Sequence, residues 1–179
     1  MIVAFSSMAS QTYPVIVDTV ASATPLGEIA AGGMPDIKDL FWGLCGGAIG
    51  ETCALALLLG LVYLLIRRVI TWHIPVSLVG TVYVLSLFME GFDFMKALAL
   101  VLSGGLFLGA FFMATDYVTS PTTAWGKIIF GVGAGILTFL IRYFGIYPEG
   151  VSFAILFMNI LTPYIDSWTA HKVFGGKKS

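Results

Sequence analysis

Long apolar runs separated by short polar stretches fill the chain after residue 42. A helix rises 1.5 Å per residue, so a bilayer core of about 30 Å needs about 20 helical residues to cross it. The pattern predicts five apolar helices, of which the first and third are long enough to span comfortably and the others are shorter. The five segments are Gly43–Ile66, Ile74–Met89, Phe94–Ala114, Ile128–Phe144 and Val151–Ile165.

Composition favours the same class of protein. Hydrophobic residues make up 58% of the 179 residues and charged residues 11%, whereas soluble domains average about 25% charged residues. The predicted fold class is therefore an all-α integral membrane protein, a polytopic helix bundle with about five transmembrane helices. No stretch is basic and extended enough to predict nucleic-acid binding.

The chain divides into four predicted parts. Residues 1–10 resemble the end of a preceding apolar segment, because they are too few to span and lack the basic region and cleavage site of a signal peptide. Residues 11–42 predict an ordered polar loop, residues 43–168 the transmembrane bundle, and residues 169–179 a basic tail. Both a natural short form and a piece of a longer chain fit this organisation.

Basic residues in short loops indicate which side of the bundle is cytoplasmic. Threading the five spans places six of the nine Lys and Arg residues on one side, which predicts a cytoplasmic C-terminus. The loop that contains Thr24 then faces outward, together with Lys38, Lys96 and Arg142. The cytoplasmic set is Arg67, Arg68, Lys127, Lys172, Lys177 and Lys178.

Thr24 is the candidate for covalent chemistry. Because Pro25 follows it, its backbone is biased toward an extended conformation that presents the hydroxyl, and the neighbours Ala21, Ser22 and Ala23 leave steric room. The residues alone support two interpretations, since a Thr hydroxyl is a weak nucleophile. It is either an acceptor for a modifying enzyme or part of a turn before a helix at the membrane surface.

The run from Asp18 to Thr24 resembles the D-x-x-[ST]-[GS]-A-T pattern on which flavin transferases esterify FMN, with Ala21 where the family has Ser or Thr. Further segments in the same order are similar to the D subunit of the Rnf ion-translocating ferredoxin:NAD oxidoreductase, a relative of the B subunit of the sodium-translocating NADH:quinone reductase. One departure is Tyr117, where Pro is commoner. The similar segments are Gly46–Thr52, Tyr63–Val76, Leu102–Asp116, Thr119–Thr123 and Tyr147–Ser152.

The resemblance implies an electron-transfer subunit in a prokaryotic inner membrane, which acts as part of a translocase complex and does not catalyse the reaction by itself. No catalytic residue and no metal ligand is therefore assigned. It implies FMN on the Thr24 hydroxyl within a motif formed with Asp18, Ser22 and Ala23, and a second, noncovalent flavin, riboflavin. The implied partners are other membrane and peripheral subunits, a flavin transferase, the lipid bilayer, and Na⁺ or H⁺. Family members have about ten spans in two related halves, and this chain resembles the second half with its preceding loop.

Glu51 supports a competing hypothesis. An ionisable residue within a predicted span needs a partner or a role, and the surrounding Gly46, Gly47 and Gly50 permit close approach of a helix or cofactor. Glu51 is expected to bind or relay a cation, to hydrogen-bond a flavin, or to be a carboxyl satisfied by Thr52 or a neighbour. In the alternative function, the chain is a redox-inactive transporter or channel subunit with a substrate path near Glu51.

The remaining conspicuous residues favour structural roles. Cys45 and Cys53 lie too far apart along one predicted helix for a disulfide and are predicted to pack in the bundle, with a metal or cluster shared between subunits as the alternative. Glycines with small-xxx-small spacing predict tight helix contacts, and the tryptophans lie at predicted span ends. These residues are Gly105 and Gly109, Gly131 and Gly135, and Trp42, Trp72, Trp125 and Trp168.

Overall fold

The computed structural model describes residues 25–30, 33, 36–43, 53–144 and 150–169. Across these residues the secondary structure is helical, without strands. The helices are α1 (Pro25–Ala30), α2 (Ile37–Trp42), α3 (Ala54–Ile66), α4 (His73–Met89), α5 (Phe94–Leu102), α6 (Leu106–Met113), α7 (Ala124–Phe144) and α8 (Val151–Thr169). Residues Gly109–Met113 of α6 form a π-helical turn.

Helices α4 and α7 form the central pair of the bundle. Gly131 and Gly135 of α7 lie against Ser77 and Thr81 of α4 in the same order along both helices, so the two helices run parallel. A Cβ built on Gly131 would overlap the Ser77 hydroxyl and would lie 3.0 Å from the carbonyl oxygen of Ile74. The predicted small-residue contact at Gly131 and Gly135 is therefore confirmed.

Helix α8 packs antiparallel to α7. The Thr123 hydroxyl donates to the Thr169 hydroxyl at 2.6 Å where α7 begins and α8 ends, and Gly133 lies against Met158 near the middle. Gly109 of α6 packs against Val151, so it takes part in a tight contact as predicted. The shared core contains apolar side chains of α4, α6, α7 and α8. They include Leu78, Val82, Leu106, Ala110, Phe130, Ala134, Ile155 and Met158.

Several hydroxyl groups within the helices are satisfied locally, whereas the buried Nδ1 of His73 and Oδ1 of Asn159 have no hydrogen-bond partner among the described residues. The hydroxyls of Thr81 and Thr138 donate to the carbonyl oxygens four residues earlier at 2.6 and 2.7 Å, and Ser77 donates to the His73 carbonyl oxygen at 2.7 Å. Internal satisfaction of this kind is what a low-dielectric surrounding requires, because lipid offers no replacement donor or acceptor. Polar side chains can therefore occupy the central helix contact.

The outward faces of the helices are apolar. Exposed Leu, Val, Ile and Phe side chains cover α3, α4 and α8, and such continuous apolar surface marks a membrane or protein interface. By length and composition, Ala124–Phe144 qualifies as a membrane span, and the bent pair α5 and α6 qualifies as a second if counted as one segment. Helices α3 and α4 are shorter apolar helices. The predicted all-helical membrane bundle is confirmed.

Several predicted helix bounds need correction. Helix α7 has 21 residues and α8 has 19, so these segments are longer than predicted because polar residues at their ends are also helical. The hydropathy pattern predicts that the first segment begins at Gly43, but Gly43 has φ of 82° and ends α2. Residues 44–52 lie outside the described part of the chain, and the segment is helical from Ala54.

The third segment, predicted to cross as one helix, is broken. Helices α5 and α6 meet at 66° on either side of residues 103–105. Gly104 lies at φ of 67°, in the left-handed region that glycine adopts without strain. Hydropathy does not register this change because the break contains small residues that leave the segment apolar.

The bundle has two ends, which we name by the helix termini that meet there. The first end contains α1, the C-termini of α4 and α7 and the wall formed by α5. The second end contains the C-terminus of α3, the N-termini of α4 and α7 and the C-terminus of α8. Each end encloses a cavity.

We expect Gly131→Ala to destabilise the bundle and Gly80→Ala to be neutral or slightly stabilising. The new methyl at residue 131 would meet a backbone oxygen and force α4 and α7 apart, at a cost of about 1–3 kcal/mol. A Cβ at Gly80 meets no atom within 4 Å among the described residues, and Ala has the higher helix propensity. Thermal unfolding of both variants in one detergent measures the difference. Equal transition temperatures would contradict the proposed packing constraint.

Candidate functional site

The residues that the sequence predicts as functional lie outside the described part of the chain. They are Asp18, Ser22, Ala23, Thr24 and Glu51. The residue that follows Thr24 is Pro25, which begins α1 and is buried. Helix α1 is therefore the described element that lies next to the attachment motif in the sequence.

Helix α1 packs against the break between α5 and α6. Leu26 is 8% exposed, and its side chain lies 3.8 Å from the position that a Cβ on Gly104 would occupy. Pro at the first helical position suits helix initiation, since that position has no intrahelical partner for its N–H. The six-residue helix is thus attached to the bundle by an apolar contact at its N-terminal end.

A cavity of about 320 Å³ lies at the first end of the bundle, between α1 and the adjoining parts of α4, α5 and α7. Its walls combine apolar side chains with a small set of polar groups, as ligand pockets commonly do. The lining residues are Leu26, Ile29, Val82, Ser86, Glu90, Leu100, Phe139, Arg142 and Tyr143. We call this space the first-end cavity.

Glu90 and Tyr143 join the two central helices at this cavity. The Tyr143 hydroxyl donates a short hydrogen bond to Oε1 of Glu90, and both side chains are partly buried. The Phe139 ring lies 4.6 Å from the Tyr143 ring between centroids, which places a pair of aromatic rings along one wall. A carboxylate has more lone pairs than one hydroxyl uses, so Glu90 retains capacity to accept from a ligand.

Arg142 connects α7 with the broken helix. Its Nη1 donates to the carbonyl oxygen of Leu100 at 2.8 Å, and its Nη2 donates to that of Ser103 at 3.2 Å. Carbonyls at a helix C-terminus lack intrahelical donors and carry partial negative charge. The guanidinium therefore stabilises the break and also brings positive charge to the cavity wall.

These features define what the first-end cavity can bind. A planar ligand can lie against the aromatic wall, while its polar edge meets the carboxylate of Glu90, the hydroxyl of Ser86 and the charge of Arg142. The sequence pattern did not predict these residues as a site. The available signal was topological, because the threading placed Arg142 on the same side of the membrane as Thr24.

The other singled-out residues have structural contacts. The Cys53 thiol lies 3.9 Å from the carbonyl oxygen of Phe41 and packs beside Gly43, so its predicted packing role is confirmed, while Cys45 lies outside the described residues. The carboxylate of Asp116 accepts from the Thr119 hydroxyl at 3.2 Å and organises its own loop. Among the residues that the structure describes, no three His, Cys, Asp or Glu side chains cluster as a metal site.

Apolar helices whose hydroxyl groups donate within their own helix, and a cavity at the end of the bundle, define this chain as part of a polytopic membrane protein. Residues 1–175 match the model of the NQR2, RnfD, RnfE family. The chain belongs to that family, and the resemblance found from its motifs is confirmed.

Individual relatives agree with the family match. The D subunit of the Na(+)-translocating ferredoxin:NAD(+) oxidoreductase complex of Acetobacterium woodii is 46% identical, with 96% of this chain and 54% of the relative covered. The proton-translocating counterpart of Clostridium ljungdahlii is 43% identical, with 90% and 53% covered. The D subunit of the ion-translocating oxidoreductase complex of Pseudomonas paraeruginosa is 40% identical, with 90% and 50% covered. The chain thus spans about half the length of these curated relatives.

We expect Arg142→Gln to loosen the helix break and Lys96→Gln to leave it unchanged. Replacing Arg142 removes charge-assisted hydrogen bonds to two carbonyl oxygens, and each hydrogen bond of this kind contributes about 1.5–3 kcal/mol. Hydrogen exchange measured by mass spectrometry should become faster in peptides covering residues 100–108. Lys96 carries the same charge on α5 but makes no contact with these carbonyls, which makes it the matched control. Unchanged exchange in Arg142→Gln would show that the break is held by other contacts.

Proposed function

We propose that this chain is the flavin-bearing part of a membrane subunit in an Rnf-type electron-transport complex. In this proposal FMN is attached through its phosphate to the Thr24 hydroxyl, and electrons pass between partner subunits in steps coupled to Na⁺ or H⁺ translocation. Oxidoreductase and translocase activity belong to the assembled complex. The other membrane and peripheral subunits, and a flavin transferase during maturation, are the partners.

The observation that supports the proposal is the place of the attachment motif in the sequence, directly before a helix that lines the first-end cavity. The sequence Asp18-Thr-Val-Ala-Ser-Ala-Thr24 ends one residue before α1, and Leu26 and Ile29 of α1 line the cavity. A group esterified to Thr24 would therefore be joined, one residue along the chain, to a helix that lines this cavity.

The first-end cavity fits the ring system of FMN in size and polarity. Its volume of about 320 Å³ is within the range of roughly 300–1,000 Å³ that ligand pockets occupy. Ile29 lies about 6 Å along the helix axis from Pro25. The ribityl phosphate would span the distance between the ester and a ring bound in the cavity. When bound, FMN supplies one-electron and two-electron redox chemistry that side chains lack.

The lining residues then have separate roles. Phe139 and Leu26 would exclude water and provide apolar contact for the ring. Glu90, held by Tyr143, would accept a hydrogen bond from an N–H group of the flavin. The positive charge of Arg142 favours added electron density on the ring, since an opposite charge in a low-dielectric site stabilises it.

The proposed orientation places the first end on the outer face. Basic residues at the second end include Arg67, Arg68 and Lys127, and the positive-inside bias assigns that end to the cytoplasm. The FMN would then be reached by partners from outside the cytoplasm. Riboflavin remains part of the proposal as a second flavin, as does a coupling role for Glu51.

We expect Thr24→Val to abolish covalent FMN and Thr19→Val to retain it. Both substitutions remove a Thr hydroxyl from the same loop, but Thr19 occupies an unspecified position of the motif. The measurement is in-gel flavin fluorescence after denaturation, followed by mass spectrometry of the peptide containing residue 24, on complex produced in its native host. FMN still attached in Thr24→Val, or an unmodified peptide in the parent protein, would overturn the proposed function.

We expect Tyr143→Leu to change the environment of the flavin without removing it. Loss of the aromatic wall and of the Glu90 hydrogen bond should shift the native visible absorption and fluorescence toward those of FMN in water. Phe144→Leu is the control, since Phe144 is the adjacent aromatic residue, is 74% exposed and does not line the cavity. Covalent FMN should persist in both variants. Native spectra identical to those of the parent protein in Tyr143→Leu would place the ring elsewhere.

A further inference from the structure

The second end of the bundle contains a cavity of about 380 Å³ that the flavin proposal does not use. Its wall brings together the α3–α4 connection, the loop after α6 and the first turn of α7. Two cationic side chains, Arg68 and Lys127, line it from different elements, and Thr71 and Ser120 add hydroxyls. Ile74 and Pro121 form its buried apolar floor. We call this space the second-end cavity.

The backbone at Arg68 is unusual for this residue type. The Arg68 N–H donates to the carbonyl oxygen of Leu65, and the Val69 N–H donates to that of Leu64, both at 3.0 Å. This is the double hydrogen bond of a Schellman helix end, in which the left-handed position is usually Gly. Arg68 occupies it with φ of 54°. A cationic side chain thus occupies a left-handed position at which the backbone conformation favours Gly.

Exposed tryptophans indicate the level of the cavity relative to the lipid bilayer. Trp72, Trp125 and Trp168 stand at the start of α4, the start of α7 and the end of α8, and they are 59%, 70% and 81% exposed. Exposed Trp side chains at helix ends mark the level of the lipid headgroups. The second-end cavity borders the starts of α4 and α7, so it lies at the level at which phospholipid phosphates occur.

We propose that the second-end cavity is a binding site for a phosphate group, supplied by an anionic phospholipid headgroup or by phosphate in solution. Arg68 and Lys127 provide the compensating charge, and the hydroxyls donate to phosphate oxygens. The buried floor at Ile74 and Pro121 suits the glycerol end of a lipid. Basic pockets between membrane helices are known to recognise such headgroups.

Two acidic groups lie near this wall, and both accept hydrogen bonds from loop residues. Asp116 stands between the lining residues Thr115 and Tyr117, and its carboxylate accepts from the Thr119 hydroxyl at 3.2 Å. Asp166 of α8 accepts from the backbone N–H of Thr122 at 3.0 Å and from its hydroxyl at 3.3 Å. Neither carboxylate belongs to the cavity lining, so the side chains that line the cavity carry a net positive charge.

The test compares Arg68→Gln with Arg67→Gln in the complex purified from native membranes. The two residues are adjacent and equally charged, but Arg67 does not line the cavity. Native mass spectrometry would be recorded with added phosphatidylglycerol, with phosphatidylcholine, and with inorganic phosphate alone. Each basic side chain near anionic lipid contributes about 1 kcal/mol, which is a change of about fivefold in affinity.

We expect affinity for phosphatidylglycerol to fall about fivefold in Arg68→Gln and in Lys127→Gln, and on the order of 25-fold in the double variant. Arg67→Gln should bind as the parent protein does. Arg68→Lys, which retains the charge, should restore most of the affinity and shows that any loss does not come from misfolding.

The three ligands distinguish the source of the phosphate. Preference for phosphatidylglycerol over phosphatidylcholine, with the stated variant pattern, identifies a lipid site. The same variant pattern with inorganic phosphate alone identifies a site for free phosphate. Equal losses in Arg67→Gln and Arg68→Gln, or no binding of any of the three ligands, would overturn the proposal.

Discussion

The close contact between α4 and α7 is the constraint on which the rest of the structure depends. Gly131 and Gly135 bring the backbone of α7 against the carbonyl oxygens of Ile74 and Leu78, an approach that any larger residue would prevent. Hydrophobicity gives little reason for two helices to associate in lipid, so packing of this kind supplies much of the attraction. Because the two helices are parallel, their C-termini meet at one end and their N-termini at the other. Each end then forms a wall of a cavity.

The broken segment follows from the same arrangement. Helix α4 ends at the first end and α7 begins at the second, so the chain between them must return through the bundle. It does so as α5 and α6, bent by 66°, and the carbonyl oxygens left at the end of α5 need donors. Arg142 supplies them from α7. One residue thus completes the helix break and contributes charge to the first-end cavity, which links the packing of the bundle with its proposed redox chemistry.

Much of the fold could be predicted from the sequence because burial in lipid demands long apolar helices. All five segments begin or end where hydropathy indicates, such as Met89 and Phe144, and the exposed tryptophans stand at helix ends. The break at Gly104 was missed since small residues keep a segment apolar while permitting a left-handed backbone. The short helices α1 and α2 lie in a stretch predicted as a loop, and they depend on tertiary contacts such as that of Leu26. The cavity residues Glu90 and Tyr143 are 53 positions apart, so only folding brings them together.

The parallel central pair has a mechanical consequence. The same two rods border both cavities, with Ile74 and Lys127 near one extremity and Glu90 and Tyr143 near the other. Rigid helices that slide past each other do so along their whole length, in the manner of shear motions. A shift of one of these helices along the other would therefore change the walls of both cavities at once. Such a shift would link what binds at one face of the bundle with the geometry at the opposite face.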